Sequence, residues 1–328
     1  KEIPSKPPLF HWLASAASMA AGRLDEFTVR VPSVLASLVT LAATAWAGMR
    51  MFGPRTGLMA FLVLLTSQQW IVSSTSARVD MTLAALVTIC LVAAITDRNG
   101  ARRHPWPIYL ATSLAVLAKG PVGAVVPALV LLAYLILARD FSYLLGFFRR
   151  PALLWVLVPL AWYLAAWAEG GQPFVDKLIL KENIYRVLDP EAVGAGHVHG
   201  PAYYLPALAA GMAPWSLLVP AALAGLAQRK PQQNWAGTGF LLCWALLTIA
   251  FFSLAGSKRP VYILPAYPAL ALLIANWAAG LMEGQQAAKL SVWSLRATVW
   301  LVSVATALLA ALTVLEPSGL SLLGAIEP

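Results

Sequence analysis

Several cations stand where an apolar chain should avoid them. In SARVDMTLAAL (76–86) Arg78 and Asp80 open an apolar run, and in LAKGPVGAVVPAL (117–129) Lys119 interrupts one. SKRPVYILPAYP (257–268) wedges Lys258 and Arg259 between two such runs, and SKPPLFHWL (5–13) sets Lys6 before a stiff Pro-Pro. A charge at a bilayer centre costs roughly 2.5–3.5 kcal/mol on insertion scales. These residues must therefore sit at a membrane edge or bind something. The chemistry open to them as a set is to hold an anion such as a lipid phosphate, with Lys6 offering a compact cation. For each residue alone, the competing reading is headgroup anchoring with the apolar stem lying along the membrane.

Asp80 sits at a helix N-terminus, where the dipole favours a carboxylate. It either caps that helix beside an Arg78 ion pair or faces a buried cavity, and the second reading makes it the catalytic candidate. Gly120 and Pro121 account for a tight turn between two apolar runs, but they do not require Lys119. The longest polar stretch, 169–201, contains DKLILKENIYRVL. Leu178, Ile179, Ile184 and Val187 recur there at helical spacing, so this segment is expected to lie on the membrane, with Arg186 in reach of a phosphate or a carboxylate. His197 and His199 are either zinc candidates or solvated loop residues; no third ligand is spaced for a metal.

Whatever positions these groups is embedded in lipid. Of 328 residues 60% are hydrophobic and 11% charged, and the mean hydropathy is +0.73. Soluble domains run at about 25% charged. The expected class is therefore an all-α polytopic membrane protein. Cys90 and Cys243 lie in apolar runs and read as inert thiols. The net charge of +9 fits loop cations near headgroups better than nucleic-acid binding, which is not expected.

A span takes about 20 apolar residues. Ten candidate windows follow: 31–49, 57–75, 79–96, 107–118, 121–138, 152–168, 202–226, 236–254, 261–280 and 296–314. The expected organisation is an outer loop with an interfacial helix (1–30), a transmembrane bundle (31–314) interrupted by the outer loop 169–201, and a tail (315–328). Alternation puts 12 Lys/Arg against 3 Asp/Glu on one side and 11 against 11 on the other. The positive-inside rule makes the first side cytoplasmic. Arg78, Lys119, Lys258 and Arg259 then share the outer face. Residue 1 also falls outside the cytoplasm, so an upstream helix is expected.

In order, KPPLFHWL (6–13), RVPS (30–33), ARVDM (77–81), AKGP (118–121), ENIYR (182–186), YYLP (203–206) with APWS (213–216), and SKRPVYILP (257–265) resemble the motifs of the GT-C glycosyltransferases of the ArnT/protein O-mannosyltransferase superfamily, in particular its bacterial ArnT-like branch. The resemblance runs through nearly the whole chain. It implies a GT-C type helical bundle and an inverting transfer of a sugar from a polyprenyl-phosphate carrier to a lipid A, lipopolysaccharide-type or other acceptor. It also implies a multi-pass protein of the bacterial inner membrane with its site facing the periplasm. Carried over by motif, Lys6, Arg186 and Tyr262 surround the carrier phosphate, and Asp80 and Lys119 line a central cavity; Lys258 shares the motif of Tyr262, and as outer-face cations Arg78, Lys119 and Lys258 are expected in the substrate-binding set.

The resemblance also has departures. The family's catalytic Asp, often Asp-Glu, precedes the Lys-Pro-Pro motif, whereas Asp25-Glu26 follows it. Ser5 stands where the family often has Glu, and Lys181 at the position of a metal-holding histidine, with His197 or His199 as substitutes; no cofactor is certain. Catalysis in such a site needs cations to hold the departing phosphate and a carboxylate to take the acceptor's proton. The alternatives are a protein O-mannosyltransferase-type enzyme, a lipid-linked sugar transporter or flippase, and an inactive fragment.

Overall fold

A computed structural model describes residues 5–100, 105–149, 155, 157–185, 198–227, 235–284, 292–301, 303, 304 and 307. Every extended element among the described residues is helical, as expected where backbone polar groups cannot turn to water and must pair within the segment. The order is α1 (Leu9–Ala21), α2 (Glu26–Phe52), α3 (Pro54–Leu65), α4 (Gln68–Ser74), α5 (Val79–Asn99), α6 (Trp106–Lys119), α7 (Val122–Leu137), α8 (Phe141–Arg149) and α9 (Leu157–Phe174). A π-helical stretch, Val175–Tyr185, continues from α9. Then come α10 (Tyr204–Gly211), α11 (Leu218–Ala227), α12 (Trp235–Leu254), a 3-10 stretch Pro260–Ala266, and α13 (Tyr267–Met282).

Four helices are long and apolar enough to cross a membrane by themselves. Two bent pairs, Pro54–Leu65 with Gln68–Ser74 (68°) and Pro201–Gly211 with Trp215–Gly225 (119°), raise that to six among the described residues. The ten windows differ from this count for identifiable reasons. Windows 107–118 and 121–138 are α6 and α7, with 14 and 16 residues. At 1.5 Å per residue α6 reaches about 21 Å, short of a hydrocarbon core of about 30 Å. Window 296–314 lies mostly outside the described residues.

The centre of the bundle is α5 and the segment Pro260–Met282, whose apolar windows are 72% and 83% buried against 44% for α2 and α12. α5 is apolar all round, as a helix covered on every side must be. It packs on α2, α6, α7 and the 3-10 stretch. Outward-facing Leu35, Leu38, Leu58, Leu62, Leu160 and Leu164 leave an apolar exterior suited to lipid.

Each end of α5 is pinned. At its C-terminal end Arg98 donates to Asp140 (3.1 Å) and to the Tyr134 hydroxyl (3.1 Å), and the Tyr143 hydroxyl donates to Asp97 (2.8 Å). Its N-terminal end carries Asp80 and the candidate site. Earlier in the chain, Asp25 and Thr28 form a capping box that starts α2. The Thr28 N–H donates to the Asp25 carboxylate at 2.9 Å and holds that carboxyl below its ordinary range.

Candidate functional site

Three elements meet at the N-terminal end of α5. Asp80 lies in its first turn, Lys119 is the last residue of α6, and Tyr262 lies on the 3-10 stretch that leads into α13. Gly120 follows Lys119 with φ 89°, a left-handed conformation that ends α6 and reverses the chain into α7. A side chain at Gly123 would collide with the backbone of α6 at Ala115, so α6 and α7 approach closely just beyond the turn. That packing fixes where Lys119 points.

Lys119 Nζ donates to Asp80 Oδ1 at 2.5 Å, and both side chains are 10% exposed. The same ammonium lies 4.0 Å from the centroid of the Tyr262 ring. A desolvated cation over an aromatic face is attracted by the ring quadrupole. Lys119 therefore joins a carboxylate and a phenol from separate elements into one unit. The ion pair that the sequence suggested between Arg78 and Asp80 is not formed; Asp80 takes a partner 39 residues away.

A cavity of about 530 Å³ opens beside this unit, lined by Arg78, Asp80, Tyr203 and Arg259 together with Gln69 and Ser73. Lys6 sits at the start of α1, where its ammonium pairs with Glu182 on the π-helical stretch at 2.7 Å. Arg186 and His197 lie outside the described residues.

Lys258 departs from its expected place in the substrate-binding set. It is 2% exposed, and its ammonium donates to the backbone carbonyls of His199 (2.7 Å) and Ala255 (2.5 Å). With the bridge between Val198 and Ser257, it clasps the end of the long loop to the 255–260 link. A cation whose donors already satisfy buried carbonyls is a fastener. Lys258→Met leaves those carbonyls without a donor, at roughly 1–3 kcal/mol for each unsatisfied group. The expected result is a lower melting temperature and faster hydrogen–deuterium exchange over residues 198–203. Unchanged exchange with weakened carrier binding would return Lys258 to the anion.

Arg259, for which the sequence left headgroup anchoring and anion binding both open, sits partly buried in the cavity wall. His199 stacks on Tyr203 at 4.2 Å and 8°. Neither Ser5 nor Lys181 is a metal donor, and among the described residues no three His, Cys, Asp or Glu side chains converge. Ser5 and Lys181, at the family's metal position, do not fit a resident ion. Glu182, which pairs with Lys6, and Tyr203, which lines the cavity, were not singled out by their motifs, although each lies inside one.

A family model for dolichyl-phosphate-mannose-protein mannosyltransferases matches residues 5–166. The undecaprenyl phosphate-alpha-4-amino-4-deoxy-L-arabinose arabinosyl transferase of Erwinia tasmaniensis is 30% identical over 328 residues, covering 96% of this chain and 56% of that protein. Its namesake in Pseudomonas aeruginosa is 32% identical over 277 residues, with 83% and 49% covered. The crystal structure of ArnT from Cupriavidus metallidurans bound to undecaprenyl phosphate superimposes with a TM-score of 0.75 at 24% identity, over 92% of this chain and 53% of that one. In sequence the chain is similar to these arabinosyl transferases and to the mannosyltransferase family, and its fold is that of ArnT. A more distant solved structure, the archaeal oligosaccharyltransferase AglB from Archaeoglobus fulgidus, shares the fold at TM-score 0.55 and 16% identity over 91% of this chain and 46% of that one. The chain spans about half the length of the curated relatives it matches.

Proposed function

We propose that the chain carries the membrane part of an inverting glycosyltransferase that moves a sugar, 4-amino-4-deoxy-L-arabinose or a related one, from undecaprenyl phosphate to a lipid A or lipopolysaccharide-type acceptor. In this reading the enzyme works at the periplasmic face of the bacterial inner membrane. The observation that carries the proposal is the Asp80–Lys119–Tyr262 unit beside an arginine-lined cavity. The leaving group is a lipid phosphate, already a stable anion. Preorganised cations stabilise the charge that returns to it as the glycosidic bond breaks. Lys6, Arg186 and Tyr262 face that phosphate, while Asp80, held by Lys119, accepts a hydrogen bond from a sugar or acceptor hydroxyl and orients it.

The packing of α5 favours transfer over transport. A second cavity of about 350 Å³ lies at the other end of α5, lined by Arg50, Thr96 and Asn99 among others. Between the two, Leu83, Ala84, Val87 and Leu91 are buried in the core. A transporter would place its polar groups near the midplane.

The test is transfer by the full-length protein in nanodiscs, supplied with synthetic undecaprenyl-phosphate sugars and either lipid A or an unfolded protein acceptor. Sugar on lipid A is the expected product. Sugar only on protein would move the enzyme to the O-mannosyltransferase type, and no transfer from any polyprenyl-phosphate sugar would overturn the reading.

A further inference from the structure

Two spans of the bundle are broken, and their breaks meet. α3 turns by 68° into α4, and Pro201–Gly211 turns by 119° into Trp215–Gly225. Both breaks fall within apolar windows, where a backbone group that loses its helical partner has little water to turn to. At the junction the Trp215 indole N–H donates to the Thr66 hydroxyl at 2.8 Å, and that hydroxyl donates in turn to Leu62 O at 2.6 Å. The Gln68 N–H, the first of α4, donates across to Ala213 O at 3.3 Å. A side chain at Gly211 would collide with the Tyr267 hydroxyl and crowd Gln69 Cβ at 3.0 Å, so α10, α4 and α13 meet without slack. On its other flank α4 is tied to α2, where the Trp70 indole N–H donates to the Ser37 hydroxyl at 2.9 Å.

The helix held in this way is a wall of the candidate site. Gln69, Val72, Ser73 and Ser76 follow the i, i+3, i+4, i+7 spacing of one helix face, and all four line the cavity beside Asp80. Gln69 donates to the Ser73 hydroxyl at 2.9 Å along that face. With seven residues α4 is too short to keep a direction by itself, so its ties set it. Trp215 does not line the cavity. A tryptophan at a membrane edge ordinarily spends its N–H on headgroups and water, whereas this one is spent on the break of another span. We propose that Trp215 is a positioning residue for the transferase: through Thr66 it sets the bend between α3 and α4, and so aims the polar face of α4 at the substrate in the cavity. Amide and hydroxyl groups recognise hydroxyls rather than charge, which makes the ligand of this face a saccharide. Lys6 and Tyr262, assigned above to the carrier phosphate, are not among the lining residues, so the saccharide is the acceptor's. This last step rests on the transferase reading.

The test uses full-length protein in nanodiscs, with lipid A as acceptor. Trp215→Phe keeps a ring and deletes the N–H, and Thr66→Val deletes the acceptor hydroxyl at nearly the same shape. Each should speed hydrogen–deuterium exchange over residues 68–74. Each should also raise the acceptor KM about fivefold, the worth of one hydrogen bond between membrane helices, with kcat and the carrier KM within about twofold of the parent. The double variant should match the single ones, because both delete the same bond. Thr66→Ser keeps the hydroxyl and should match the parent. A lower melting temperature with an unchanged acceptor KM would make Trp215 a structural residue and overturn the positioning role, as would additive losses in the double variant. A raised carrier KM with an unchanged acceptor KM would overturn the assignment of this wall to the acceptor. Thr66 is exposed on the bundle, so Thr66→Val carries the test if Trp215→Phe does not fold. Exchange is read without sugar transfer. Unchanged exchange in both single variants would overturn the proposal, whereas a parent that transfers no sugar would overturn the transferase reading and leave the exchange result to stand or fall separately.

Discussion

Full-length protein carrying Lys6→Ala is expected to transfer sugar about 10²–10³-fold more slowly, with little change in melting temperature. The rate figure is what removal of one preorganised charge-stabilising group typically costs when charge develops on the leaving atom. The stability side follows from exposure. Lys6 and Glu182 are 27% and 18% exposed at 2.7 Å, a partly solvated pair. Such pairs contribute at most about 1 kcal/mol. Glu182→Gln separates two roles for the contact. If Glu182 serves to aim the ammonium, its loss lowers transfer by roughly one order of magnitude and leaves a cation in place. A Lys6→Ala, Glu182→Gln double variant should then be no slower than Lys6→Ala alone, since an aiming partner has nothing left to aim. Lys6→Arg should recover part of the rate because it restores charge with different geometry. Transfer by Lys6→Ala within threefold of the parent would remove Lys6 from the carrier phosphate site.

The helices were legible because the membrane leaves an apolar run few options, and α2, α5 and α12 fall where their windows predict. The bends were not legible. Window 57–75 reads as one apolar segment, yet the chain turns by 68° after Leu65. There the Ser67 N–H turns to Leu64 O (3.2 Å) and the Ser67 hydroxyl donates to Val63 O (2.7 Å), so a short side chain satisfies a carbonyl that the break would otherwise orphan. A hydroxyl within an apolar run is compatible with either a straight or a broken helix, and composition does not separate them. Residue chemistry at the site was legible one residue at a time, while pairing was not. Asp80 finds Lys119 at a separation of 39 residues and Lys6 finds Glu182 at 176, distances over which no local pattern reports. Lys258 and Arg259 show the same limit on adjacent residues. The motif marks Lys258, whose charge closes on backbone carbonyls, and leaves Arg259 unmarked, whose guanidinium lines the cavity. Only packing distinguishes a cation that fastens from one that waits for an anion.

Asp80→Ala is expected to destabilise the bundle by roughly 3–5 kcal/mol, the cost of leaving one member of a buried ion pair without the other. Both side chains are 10% exposed, so water cannot take over the role of the lost partner. Lys119→Ala should cost a similar amount for the mirror-image reason. The informative variant is the double one, Asp80→Leu with Lys119→Met, which removes both charges and fills the space with apolar atoms. Replacing a whole buried pair in this way is often neutral or stabilising, so melting should return close to the parent. Transfer should not return. The carboxylate proposed to orient a hydroxyl and the ammonium that lies 4.0 Å from the Tyr262 ring are both gone. A structural pair and a functional pair thus predict the same single-variant losses but opposite double variants. Tyr262→Phe refines the result, because it keeps the ring under Lys119 while deleting the hydroxyl proposed to face the phosphate. It should melt like the parent and transfer more slowly. Recovery of transfer together with folding in the double variant would make the Asp80–Lys119 pair a brace for α5 and α6, and would leave Tyr262 to act without it.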